Sequence, residues 1–185
     1  MAKRLIIPAP DMRLKQKCRP VDGVDADVRQ LMADMLETMY DAPGIGLAAP
    51  QVGVLRRVIV VDVSNSADGE GPGPLKMANP ELLSMSEEQA SYDEGCLSLP
   101  NQFGVVERPR RIVVRYLDET GAERELAAEG LLATCIQHEM DHLDGVLFVD
   151  HLSSLKRGII LRKLTKAKRT GDLPDYAEGH ARKVA

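Results

Sequence analysis

From Asp25 onward the apolar residues Val28, Leu31, Met32, Met35, Leu36 and Met39 recur at the three- and four-residue intervals of one helix face. Asp25 is the expected N-cap, and Pro43-Gly44 ends the pattern. The methionine stripe reads as core packing, with a binding groove as its alternative. The β-branched run Val58-Ile59-Val60-Val61 predicts a short buried strand, and the breaker-rich residues 64–74 a loop after it. Residues 111–116 and 124–127 flank Asp118-Glu119-Thr120-Gly121, which predicts a hairpin. A second helix is expected over about 129–144, closed by Gly145. A third follows Ser153, with Leu155, Ile159 and Leu164 on its inner side. From Gly171 the chain is polar and is expected to fray.

The length of 185 residues suits one domain, taken as 1–170, followed by a polar tail over 171–185. With 44% hydrophobic and 28% charged residues, the chain is neither disordered nor fibrous. Lys3 and Arg4 precede an apolar stretch that Pro8 breaks too early for a signal peptide, and no run is long enough to span a membrane. A cytoplasmic monomer is the expectation. Three cysteines, Cys18, Cys96 and Cys135, make no disulfide framework and leave thiols for metal or core duty. Residues 153–170 hold seven of the 24 basic residues and no acid, so the rest of the chain carries 17 against 28 acids. Such segregation points to a partner for the basic segment.

The chemistry begins at His138-Glu139-Met140-Asp141-His142. Residues four apart share a helix face, so the two imidazoles can meet one ion, with Glu139 in reach of a water on it. A catalytic site of this kind needs a third protein ligand. A downstream Glu fits badly, because the only one after His142 is Glu178, in the tail. The longer H-E-x-x-H-x-x-G-x-x-H pattern has its glycine at Gly145 but ends on Phe148, which cannot ligate. Cys135 shares the helix face of His138, yet it lies about 10 Å along the axis from His142, against roughly 3 to 4 Å between ligands of one ion. Cys96 remains, in the bent segment Glu94-Gly95-Cys96-Leu97-Ser98-Leu99-Pro100, with Cys18 as a weaker alternative.

Three segments together resemble the peptide deformylases: Gly44-Ile45-Gly46-Leu47-Ala48-Ala49-Pro50-Gln51, then Glu94 to Pro100 as quoted above, then Gln137-His138-Glu139-Met140-Asp141-His142. The resemblance runs from about Ile7 to Arg169. It implies an α+β fold, with antiparallel sheets packed around a central helix carrying the H-E-x-x-H motif and a C-terminal helix. It also implies removal of the formyl group from the formyl-methionine of newly made proteins, with Cys96, His138 and His142 as metal ligands. Glu139 is then the general acid/base, and Gln51 and the Leu97 backbone N–H the donors to the oxyanion. Without the resemblance, Gln51 reads equally well as a polar residue capping a turn. Ile45 and Gly46 resemble the backbone that pairs with an extended peptide. Glu94, Leu131, Thr134 and Cys135 resemble the lining of a methionine pocket, although core packing serves Leu131 and Thr134 almost as well.

This chain departs from the bacterial pattern at Asn101-Gln102-Phe103, where an Arg is common, and at Pro50, where Thr is common. A Cys-His-His set accepts Zn²⁺, Fe²⁺, Co²⁺ or Ni²⁺, and the resemblance implies Fe²⁺ in the cell. It further implies that the basic C-terminal helix docks on the ribosome near the exit tunnel, its alternative being a solvated face without a partner. Two rival readings stand beside the hydrolase of formyl peptides: a metal endopeptidase and a structural Cys/His metal module.

Overall fold

The computed structural model describes residues 3–64 and 71–173. Helix α1 (Ala26–Asp41) starts where expected, the Asp25 side chain accepting from the Val28 N–H at 2.8 Å. Met32, Met35 and Met39 are fully buried, so the methionine stripe is core. Among the described residues, seven strands follow in two antiparallel sheets. β1 (Gly46–Ala48), β2 (Val58–Val61), β3 (Leu75–Met85), β6 (Arg111–Leu117) and β7 (Glu123–Glu129) form one sheet in the order β1-β2-β3-β6-β7. β4 (Gln89–Cys96) and β5 (Leu99–Pro109) form a separate hairpin.

The large sheet is covered on both faces, which explains the uninterrupted apolar reading of β2. Val58 and Val60 pack with α1, Leu31 and Met35 among its residues. Ile59 and Val61 point the other way, onto Ala133 and Ile136 of α2 (Gly130–Leu143). The loop expected over 64–74 falls partly on residues 65–70, which lie outside the described residues. The β6–β7 hairpin is as expected, its turn organised by Asp118, which accepts from the N–H groups of Thr120 and Ala122 at 2.9 and 3.1 Å. Gly145 follows the end of α2 at φ +74°, where a Cβ would stand 2.6 Å from the Lys15 carbonyl oxygen.

Helix α3 (Ser154–Thr170) corrects one expectation. Leu164 is buried as expected, at 2%, but Leu155 and Ile159 are 69% and 39% exposed, and Ile160, at 8%, takes their place on the inner side. At 100° per residue, Ile159 and Leu164 are too far apart around the axis to share a narrow face, whereas residues 160 and 164 stack one turn apart. These two join Leu99, Val106 and Phe148 in a third core cluster that seats α3 beside the β4–β5 hairpin. The tail was expected to fray from Gly171, which ends α3 at φ +75°, and residues 174–185 lie outside the described residues. No described helix is long and apolar enough to cross a membrane.

Candidate metal centre

His138 and His142 stand one turn apart on α2, both buried, with ring centroids 5.1 Å apart. Cys96 arrives from the end of β4, where a register shift between Gly95 and Cys96 turns the chain so that Cys96 faces Leu99. The three ligand atoms of Cys96, His138 and His142 lie within 4.8 Å of one another, and Cys96 Sγ is 3.2 Å from His142 Nε2. Among the described residues no fourth ligand joins this group. Cys18 is elsewhere, in the core against α2, with burial pushing its thiol up to about 11. Phe148, which replaces a histidine in the longer motif, stacks on the His138 ring at 6.3 Å between centroids.

The surroundings fit a cation. Burial opposes charge on both imidazoles, and His142 lies well below its ordinary value for that reason, which leaves it the neutral form that a cation would need. At His138 burial is outweighed by Cys96 and Glu94, which raise its pKa well above the ordinary value: the pocket concentrates negative charge where an ion would sit. His138 Nδ1 is 2.8 Å from Glu94 Oε2, which leaves Nε2 for the ion. One thiolate and two imidazoles suit a divalent first-row metal.

Glu139 is buried beside the two histidines, and its Oε2 has no hydrogen-bond partner. Burial pushes its carboxyl up to about 7, close to the ideal for a group that must take and return a proton near neutrality. Gly46 makes room for it, since a Cβ there would collide with Glu139 Oε1. Gln51 is held by its own carboxamide: Oε1 accepts from the Ala48 N–H at 2.7 Å, so Nε2 is turned toward Ser98 Oγ at 3.2 Å and Cys96 Sγ at 3.5 Å. The turn-capping and oxyanion readings of Gln51 are therefore compatible, one for each end of the amide.

Leu97 follows Cys96 directly and packs against Gly44, where a Cβ would meet its Cδ1 at 2.7 Å. Ile45 accepts from the Cys135 thiol at 3.5 Å and from the Asp62 N–H at 2.8 Å, which fixes the strand next to the centre. Leu131, Thr134 and Cys135 lie at the spacing of one α2 face with His138 and His142, and Thr134 Oγ1 is buried without a partner. Glu94, expected to line the methionine pocket, is buried. Both its oxygens are engaged, Oε1 by Arg108 Nε at 2.6 Å and Oε2 by Arg108 and His138 at 3.0 and 2.8 Å. Arg108, Asp141 and Ser98 were missed from sequence. For Arg108 a signal existed: it shares the inward parity of Val106 on β5, and a buried guanidinium demands an acid.

The sequence model of the polypeptide deformylase family matches residues 3–158. A peptide deformylase of Rhizorhabdus wittichii is 59% identical over 172 residues, 91% of this chain and 97% of that one. One from Rhizobium meliloti is 55% identical over 168 residues, 91% and 95% of the two chains. Among solved structures, the peptide deformylase of Ehrlichia chaffeensis in complex with actinonin superposes with a TM-score of 0.87 at 42% identity, covering 91% of this chain and 99% of that one. The peptide deformylase of Legionella pneumophila gives 0.83 at 43%, covering 94% and 99%. On a family match spanning most of its length and relatives more than half identical to it, the chain belongs to the peptide deformylases, enzymes that remove N-formyl groups.

Proposed function

We propose that Cys96, His138 and His142 hold one divalent ion, Fe²⁺ in the cell, with Zn²⁺, Ni²⁺ or Co²⁺ able to replace it, and that the surrounding residues deformylate formyl-methionyl nascent peptides. The observation that carries this reading is a buried, unpartnered Glu139 carboxyl beside a three-ligand Cys-His-His group. A bound ion supplies Lewis acidity and lowers the pKa of a water to near neutrality. Glu139 takes the proton of the attacking water and delivers it to the departing amine. Gln51 Nε2–H₂, aimed by the Ala48 contact, and the Leu97 N–H donate to the oxygen that gains charge in the transition state. The Ile45 and Gly46 backbone aligns the peptide as an added strand, and Leu131, Thr134 and Cys135 line the methionine side-chain site.

Hydrolysis of formyl-Met-Ala-Ser, compared with an N-acetylated peptide cleavable only internally, tests the substrate. Only the first is expected to react, and cleavage of the second would establish an endopeptidase instead. Glu139→Gln is expected to retain metal and fold while losing activity by several hundred-fold or more. Full activity in that variant would show that a group other than Glu139 moves the proton.

We place the enzyme in the cytoplasm as a monomer, meeting its substrate at the ribosomal exit tunnel through α3. In support, Arg162, Lys163, Lys166 and Arg169 are exposed on the same helix as the exposed Leu155 and Ile159. Exchanging Arg162, Lys163 and Lys166 for Glu spares the buried Ile160 and Leu164, and it is expected to abolish cosedimentation with ribosomes without slowing hydrolysis of a tripeptide.

A further inference from the structure

A continuous chain of polar and charged contacts runs from the metal centre to the surface. His138 Nδ1 meets Glu94 Oε2 at 2.8 Å, and Arg108 grips both Glu94 oxygens through Nε and the Nη2 amine at 2.6 and 3.0 Å. The remaining Arg108 amine, Nη1, donates to Asp141 Oδ2 at 2.8 Å, and the same oxygen lies 2.8 Å from His151 Nε2. The Arg108 and Glu94 side chains are 6% and 5% exposed, that of Asp141 26% and that of His151 38%.

The placement of these groups matters more than their number. Glu94 lies on β4, two residues before Cys96, and Asp141 lies on α2, between His138 and His142. Arg108, on β5, is thus tied at one end to the strand that brings the thiolate and at the other to the helix that brings both imidazoles. A planar guanidinium with a rigid fork sets both distance and orientation, which an ammonium on a flexible stem cannot do. We infer that Arg108 and Asp141 are positioning residues: through Glu94 they fix the orientation of His138, and they hold the Cys96 strand at the spacing from the α2 histidines that one ion requires.

This inference rests on the reading of Cys96, His138 and His142 as metal ligands, and the test separates the two. The full chain loaded with Co²⁺ is titrated against a chelator, and its cobalt–thiolate absorption is recorded for the parent, Asp141→Asn, Arg108→Lys and Arg108→Met. Asp141→Asn leaves both members of the buried Glu94–Arg108 pair in place and folds even if Arg108→Met does not. The expected result is a weakening of Co²⁺ affinity of about 10-fold for Asp141→Asn and up to about 100-fold for Arg108→Met, with an altered cobalt–thiolate spectrum. Arg108→Lys is expected to stay nearer to Arg108→Met than to the parent. Equal affinity and an identical spectrum in Asp141→Asn and the parent would overturn the inference, as would a loss of thermal stability in the metal-free variant with no change in either readout. If the parent itself shows no cobalt–thiolate absorption, the ligand assignment falls, a result distinct from a parent band that the substitutions leave unmoved.

Discussion

Gly46 and Glu139 occupy adjoining space: a Cβ on Gly46 would overlap the Glu139 carboxylate and stand 2.8 Å from Cys135 Sγ. The strand that lies beside the centre and the group assigned to proton transfer are therefore packed against each other, with a glycine as the only residue that fits between them.

Gly46→Ala is expected to lower kcat for formyl-Met-Ala-Ser by about 100-fold, because a displacement of the carboxylate by roughly 1 Å suffices for that. Overpacking at a fully buried strand should also cost about 1 to 3 kcal/mol of stability. Steady-state kinetics beside urea denaturation measure both, and an unaltered kcat would show that Glu139 has room to spare.

Chelation is expected to lower Tm as well as activity, since an ion bound only by the folded chain stabilises it. At a free concentration 1,000 times Kd the stabilisation is about 4 kcal/mol, on the order of 10 °C for a chain of this size. Adding Ni²⁺ or Co²⁺ back should restore the Tm, and Cys96→Ala should show neither the fall nor the recovery. A Tm that ignores the chelator in the parent protein would count against the ligand set.

Tyr40 donates to Asp62 Oδ2 at 2.5 Å, and the Asp62 backbone N–H holds the Ile45 carbonyl. Burial pushes Tyr40 up to about 12, helped by the Asp62 hydrogen bond. Asp62 lies below its ordinary 3.8, because the bonds from Ser64 and Tyr40 outweigh its burial. A raised tyrosine contributes stability that is complete below pH 10 and lost as pH rises through 12. A depressed aspartate contributes stability present above pH 3.8 and lost as pH falls through its lower native value. Tyr40→Phe is accordingly expected to cost about 1 kcal/mol at pH 7, to flatten the alkaline fall above pH 10, and to move the acid midpoint upward. Denaturation at pH 3, 7 and 11 separates these effects, and parallel curves for the two proteins would show that the contact carries no linkage.

How much was legible beforehand differed from element to element. Residues four apart on a helix face each other whatever surrounds them, so His138, His142 and the adjacent Glu139 were readable from spacing. The rejection of Cys135 rested on the same local geometry, and its thiol does turn away, to the Ile45 carbonyl. Val58–Val61 was readable as a strand because burial on both faces removes polar positions altogether. The hairpin around Asp118 was readable because its turn is built from residues adjacent in sequence.

What sequence could not give was the choice among faces and partners distant along the chain. The third helix buries Leu164 as expected, but only the shape of the cluster around Leu99 and Phe148 selects Ile160 beside it over Leu155 and Ile159. The partners of Glu94 were equally hidden, since its oxygens face Arg108, 14 residues away, and His138, 44 residues away. The sequence by itself determined which residues could bind a metal and move a proton, since that follows from side-chain chemistry and helical period. Only the tertiary structure decided that Cys96 meets the two histidines, that the Gln51 amide points its nitrogen inward, and that Arg108 braces strand against helix, because each depends on chain segments that chemistry leaves free and packing alone brings together.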